Sequence, residues 1–250
     1  LQATRGPTEG VDLSRPDLGI YRPWNPSMDE GGTRWLLEEH GFSFSNLRTA
    51  DVHAGDLRDR YDVIVLPSER PGSLMNGFEA GSVPPRYEGG LGQEGSRELD
   101  QFVRAGGTLV CMSASSDLCI DELHLPVSNA TRGLARSEFF SSGSIFQVRV
   151  DTEHPVMAGM PQLGKIFFDR SPVFSMEEGF EGSVIAAYAK EGSPLLSGYL
   201  LGEEYLQGQA AAVDVHHGDG HVILLGFRPQ WRGPPRGTFR VLFNAALFHG

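Results

Sequence analysis

Cysteine is scarce in this chain, where positions 111 and 119 hold the only two among 250 residues. That number excludes a disulfide framework and a four-thiolate zinc site, and Cys111, set inside an apolar run, reads as a buried free thiol. Basic residues are also short, 21 Lys and Arg against 32 Asp and Glu, for a formal charge of -11. Such a balance repels nucleic-acid phosphates and anionic lipid headgroups, so neither nucleic acid nor membrane is an expected partner. Long hydrophobic runs are missing as well. Val222 to Phe227 is strand length and far below the roughly 20 residues that span a bilayer. The sequence starts at Leu1 without a methionine or a basic-then-apolar leader, so the expectation is a mature or excised part of a longer protein.

Glycine and proline, by contrast, are plentiful at 32 and 16 residues, and they cluster between periodic segments, implying many sharp turns and ordered loops. Residues 1–17, with Gly6, Pro7, Gly10 and Pro16 and little apolar pattern, read as a linker or lead-in, and 18–250 as one α/β domain. Leu18 to Tyr21 is a short strand. Ser27 can cap a helix with Asp29 and Glu30 in its first turn and Trp35, Leu36 and Leu37 on its apolar side, ended by Gly41. Phe42 to Leu47 can form an edge strand, and Tyr61 to Leu66 is a buried strand stopped by Pro67. A long Gly, Pro and Ser-rich loop follows to Gly92. Glu94 to Ala105 is a helix, Thr108 to Met112 the next buried strand, and Ser113 to Ser116 a turn into another helix that Ser115 or Ser116 can cap.

From Ile145 the pattern becomes β-rich, with strands at Ile145 to Val150, Ser183 to Ala189, Leu195 to Leu200, Ala211 to His216 and His221 to Phe227. A helix from about Thr238 to Phe248 closes the chain. Strand and helix alternation in the first 125 residues argues for a mostly parallel sheet with helices on both faces, to which the second half adds antiparallel strands. Ligands of such sheets sit at the carboxyl ends of the strands, here Tyr21 to Pro26, Pro67 to Gly72, Ser113 to Ser116 and Arg228 to Arg232.

The most chemical-looking stretch is Asp214-Val-His-His-Gly-Asp-Gly220 followed by His221. It resembles the paired-histidine run of zinc-dependent histone deacetylase-like amidohydrolases, which need further metal-binding carboxylates downstream. None follows Asp219, so that reading is rejected. His217-Gly-Asp-Gly220 is instead expected to be a tight turn between two strands, with no metal and no cofactor assigned, although clustered imidazoles can pick up adventitious zinc or nickel.

Four other segments, Met28 to Trp35, Tyr61 to Pro67, Phe102 to Val110 and Leu225 to Arg232, together resemble a class I glutamine amidotransferase-like domain. More narrowly, they resemble the version found after the catalytic domain of bacterial M14 zinc carboxypeptidase-like proteins. The resemblance covers about residues 18–248 and implies a flavodoxin-like three-layer sandwich, an upstream peptidase domain in the same polypeptide and a secreted or periplasmic location. Active members place a cysteine at a strand-to-helix turn and a His-x-Glu pair after the last central strand. Ser113 falls nearest the first position and Arg228-Pro-Gln230 near the second, so the chain is expected to be noncatalytic, an accessory module aiding substrate access, binding or assembly.

Two alternatives stay open. Ser113 is a candidate nucleophile of a small hydrolase, with His124 or His154 as its base. Arg228, Trp231, Arg232 and Arg236 form a basic and aromatic cluster that can take a peptide or small anionic ligand, or pair with acidic residues across the crevice. Asp29, Glu30 and Arg34 are further ligand candidates, with Glu30 and Arg34 spaced to pair on one helix face.

Overall fold

The computed structural model describes residues 15–231 and 235–249. Its first half alternates strand and helix: β1 (Leu18–Tyr21), α1 (Met28–Glu39), β2 (Ser45–Leu47), α2 (Thr49–His53), β3 (Val63–Leu66), α3 (Pro71–Asn76), α4 (Gly92–Arg104), β4 (Thr108–Met112) and α5 (Ser115–Glu122). The second half is mainly β: β5 (Val127–Asn129), β6 (Phe140–Ser141), β7 (Ser144–Val150), β8 (Leu163–Phe168), β9 (Phe174–Met176), β10 (Gly182–Ala187), β11 (Leu195–Ser197), β12 (Leu200–Leu201), β13 (Ala210–His217) and β14 (Gly220–Leu225). Helix α6 (Phe239–Leu247) follows.

The strands β2, β1, β3, β4 and β14 lie side by side in that order and all run parallel, the flavodoxin-like arrangement. Both faces of β1, β3 and β4 are covered, which is why their sequences are continuous apolar runs instead of alternating ones. One face packs Ile20, Val63, Val65, Val110 and Ile223 against Leu36 and Leu37 of α1 and Val241, Leu242 and Ala245 of α6. The other packs Ile64, Leu66, Leu109 and Leu224 against Leu74, Leu99, Phe102, Val103 and Leu118 from α3, α4 and α5. This is a three-layer α/β sandwich. Beyond β14 the sheet continues antiparallel through β13, β10, β7 and β11, so the added strands extend the same sheet.

Local expectations hold where the chemistry is short-range. Ser27 accepts the Glu30 N–H at 3.2 Å and caps α1, and Gly41, at φ 73°, turns the chain away from its end. The hairpin between β13 and β14 turns at Gly218, with φ 64°, and Asp219, and pairs His217 with Gly220.

Three expectations are corrected. The segment 67–92 is not all loop, because Pro71 starts α3 and a 3-10 turn spans Pro85–Tyr87. Gly77, at φ 57°, ends α3 so closely against Gly89 and Gly90 that no side chain fits there. Neither Ser115 nor Ser116 caps α5. The Ser115 hydroxyl donates to the Pro67 carbonyl and accepts the Glu69 N–H, while Ser116 donates to the Cys111 carbonyl at 3.0 Å. Finally, Cys111 and Cys119 are not free thiols but a disulfide, eight residues apart, joining the end of β4 to α5.

Candidate functional site

Four loops leave the carboxyl edge of the parallel strands: those after β1, β3, β4 and β14. β1 is followed by a crossover to the outer strand β2 and β3 by one to β4, the reversal of strand order beside which sheets of this kind place a ligand crevice. The β1 loop is held by Arg48, whose guanidinium donates to the Arg22 and Pro23 carbonyls and lies 3.8 Å from the Trp24 ring centre.

At this strand-order reversal Asp29, from the first turn of α1, meets Arg228 and Gln230, from the segment after β14. Gln230 donates to Asp29 Oδ1 at 2.7 Å, and Arg228 Nε stands 3.6 Å from the same oxygen. Arg228 Nη1 reaches Asp169, just after β8, at 3.1 Å. The guanidinium side chain is 15% exposed and that of Asp29 11%, so the cluster is largely out of water. Burial pushes the Asp29 carboxyl above the usual carboxylate range, and the attractions of Arg228 and Gln230 offset that push only in part; Glu69 and Asp169 add to it.

Trp231 stacks on Phe167 with ring centres 4.8 Å apart and planes 9° from parallel, and its centroid lies 5.5 Å from the Arg228 guanidinium carbon. Arg228 Nε, Gln230 Oε1 and Asn25 Oδ1 are buried on these loops without a hydrogen bond among the described residues, Arg228 Nε being within ion-pair distance of Asp29.

Ser113 stands at the turn from β4 to α5 with φ 47°, a left-handed conformation unusual for a side-chain-bearing residue and typical of strained strand-to-helix turns. Its side chain is nevertheless sealed. The residue is 0% exposed, and its Oγ shares a hydrogen bond with Ser171 Oγ at 2.9 Å. The Ala114 N–H, which would face an oxyanion, is directed at Ser68 Oγ at 3.4 Å. No histidine bonds to Ser113 among the described residues. His154 is at the opposite end of the sheet, bonded to Asp214, and His124 lies beyond α5.

Of the other sequence candidates, Glu30 is turned away from Arg228 and pairs with Arg34 at 2.6 Å and Arg22 at 3.7 Å. Arg34 also approaches Glu38 at 3.7 Å. Arg236 is exposed in a 3-10 turn, and Arg232 lies outside the described residues. The structure therefore brings together Asp29, Arg228 and Trp231, and adds Gln230, Asp169 and Glu69. Gln230 and Asn25 stand within segments that the sequence places at strand ends. Asp169 carries no such signal, because the sequence pattern does not mark β8 as a strand.

The overall fold is shared with solved structures. A putative GMP synthase subunit from Thermoplasma acidophilum superimposes with a TM-score of 0.56 at 11% identity, over 92% of each chain. The fold is glutamine amidotransferase-like. The cytoplasmic protein STM3548 from Salmonella typhimurium matches this chain with a TM-score of 0.55 and 13% identity, over 93% of it and 97% of that protein. A β-galactosidase from Bacillus circulans sp. alkalophilus matches over 95% of this chain with a TM-score of 0.54 and 13% identity, but the matched part is only 31% of the galactosidase. No protein-family pattern matches the sequence, and no curated protein does.

At these identities the likeness concerns the fold alone. Where the sequence resemblance puts a cysteine, this chain has the sealed Ser113, and where it puts His-x-Glu, it has Arg228-Pro-Gln230.

Proposed function

We propose that this chain is a noncatalytic amidotransferase-like module that holds a peptide-like ligand in the crevice above β1, β3 and β14, as the accessory part of a larger peptidase of the M14 zinc carboxypeptidase-like kind. The observation that carries the noncatalytic reading is Ser113: buried, bonded to another serine, with the neighbouring backbone donor engaged by Ser68. A hydrolase needs the reverse, an exposed hydroxyl beside an imidazole with free N–H groups before it.

The ligand class is read from the side-chain chemistry of the strand-end loops: the amides of Gln230 and Asn25 and the guanidinium of Arg228 are the group types that pair with the donors and acceptors of peptide amides. A simple anion is a poorer fit, because Arg228 is already shared by Asp29 and Asp169, with Glu69 adding a third negative charge nearby. The accessory role draws support from the β-galactosidase, in which a fold of this kind makes up a third of a longer enzyme. The M14 context rests on the sequence resemblance. A secreted or periplasmic location is in keeping with the Cys111–Cys119 disulfide, a bond of oxidising compartments.

The test has two arms. A fluorophosphonate probe is expected to leave Ser113 unlabelled, and labelling abolished by Ser113→Ala would refute the noncatalytic reading. In a thermal-shift screen, short peptides are expected to stabilise the chain and citrate and phosphate are not, with the stabilisation lost in Arg228→Ala. Stabilisation by the anions alone would overturn the peptide assignment. An open reading frame with no peptidase domain upstream would remove the M14 context.

A further inference from the structure

The paired-histidine motif, set aside as a turn, lies at the other end of the sheet from the crevice, and its side chains converge there. Asp214 and His216 are two residues apart on β13 and so point to the same face. His221 on β14 is directly opposite His216 in the antiparallel register. The His216 N–H goes to the Glu181 carbonyl and the His221 N–H to the Gly107 carbonyl. The two therefore form the non-hydrogen-bonded kind of pair, in which side chains approach most closely. Their rings stand 4.9 Å apart at 84°.

Ligand atoms of Asp214, His216 and His221 all lie within 4.8 Å of one another. His217, next in sequence, points to the opposite face and bonds Asp100 at 2.6 Å.

The geometry points to a site for one divalent transition-metal ion of the zinc class, held by Asp214, His216 and His221 with solvent completing its coordination. One carboxylate and two imidazoles are a donor set for zinc, cobalt or nickel and not for calcium or magnesium, which take oxygen ligands. The spacing fits. Asp214 Oδ1 and His221 Nδ1 are 2.9 Å apart and share a proton. Two such ligands at tetrahedral angle around zinc stand about 3.3 Å apart, so an ion replaces that proton after an opening of a few tenths of an ångström. The ion takes the place of the Nδ1 proton, and the bound imidazole is neutral with its one remaining proton on Nε2.

The third ligand is free to swing in. His216 is exposed, and its ring nitrogens bond to nothing among the described residues. An outer partner is already in place. His154 Nδ1 accepts the Val156 N–H at 3.3 Å, which leaves Nε2 as the donor to Asp214 Oδ2 at 3.1 Å. That bond fixes the orientation of the carboxylate, both of whose oxygens stand within 3.1 Å of His221 Nδ1, as the outer partners of metal ligands do. Burial further distinguishes the cluster from a chance surface group of acids, because the Asp214 side chain is 3% exposed while His216 opens to solvent.

The test is a calorimetric titration of the untagged, metal-stripped chain with zinc chloride, paired with the visible spectrum of the cobalt(II) form. The expected result is one ion per chain with micromolar or tighter affinity and the intense absorption of four-coordinate cobalt. His216→Ala and His221→Ala are each expected to weaken binding at least about 10-fold, and His154→Ala, acting through Asp214, about 10-fold. His217→Ala, one residue away on the other face, is expected to leave affinity unchanged. His216 is exposed and its replacement leaves the core intact, so the comparison of His216→Ala with His217→Ala does not depend on a folding defect. Equal affinity in those two variants, or no saturable binding below millimolar zinc, would overturn the site.

Discussion

Breaking the Cys111–Cys119 disulfide is the perturbation whose size the structure fixes best. The bond closes a loop of eight residues that runs from the end of β4 through Ser113 into α5. In the chain-entropy account, a loop of that length restricts the unfolded ensemble by about 2.5 kcal/mol at 25 °C. Both sulfurs are fully buried, so reduction also requires two thiols to fit where one bond stood, and the packed layer between α5 and the sheet must shift. For a chain of this size each kcal/mol moves the midpoint by roughly 2–4 °C, so the reduced protein is expected to melt roughly 5–10 °C lower.

The assay is calorimetry of the oxidised and reduced protein, with thiols counted in guanidinium. No thiol is expected to titrate before reduction in denaturant and two after it, and the folded chain is expected to resist reductant at temperatures well below its midpoint. Two thiols titrating in the unreduced, unfolded chain would refute the cross-link, and a midpoint change below about 2 °C would refute the reasoning about its energy.

Asp29 supplies a pH test. Its folded carboxyl titrates above the ordinary range, so the folded state binds its proton more tightly than the unfolded chain does. That contribution to stability is complete below about pH 4 and is lost as pH rises through the folded value. Urea titrations from pH 3.5 to 8 are expected to show the wild type losing stability relative to Asp29→Asn across that rise, and the opposite slope would contradict the assignment. Arg228→Met leaves Asp29 and Asp169 facing each other without their shared cation and is expected to cost about 3 kcal/mol in urea unfolding, with a loss under 1 kcal/mol counting against a buried pair. A Cβ at Gly90 would come within 2.6 Å of the Met75 carbonyl oxygen, so Gly90→Ala is expected to destabilise by about 1–3 kcal/mol and to make the 77–90 segment sensitive to protease. An unchanged urea midpoint would show that this turn adjusts freely.

The parallel core is legible in the sequence because strands covered on both faces leave an unmistakable mark. Val63 to Leu66 and Leu109 to Met112 are uninterrupted apolar runs ended by a proline and by a serine turn. β8 is not legible, since Gly164 and Lys165 interrupt its pattern. The glycine is needed because a side chain there would meet the Val150 methyl. Asp169 is hidden along with that strand.

The disulfide does leave a signal in the sequence, though a faint one. Cys111 ends a strand and Cys119 lies on the sheet-facing side of the next helix, so both side chains enter the same layer. Ser115 and Ser116 look like helix caps in isolation because their hydroxyls suit that role. Here the β3 loop supplies partners for Ser115 and the Cys111 carbonyl of β4 one for Ser116, and these contacts outweigh the capping preference. The turn at Gly218 is plain from its residues, but a turn says nothing of what its flanking strands place side by side. Convergence of Asp214, His216 and His221 depends on strand register, which a single sequence does not print.

The position of β14 has a consequence for how the protein comes into being. It is inserted between β4 on one side and β13 on the other, so the parallel sheet of the first half has no outer neighbour until residue 225 has been made. A nascent chain that has finished α5 therefore waits through the synthesis of about another hundred residues with the apolar edge of β4 open, a template for pairing with any other extended chain. Order of synthesis thus runs against order of assembly: the two halves are made in sequence, but neither can be completed first.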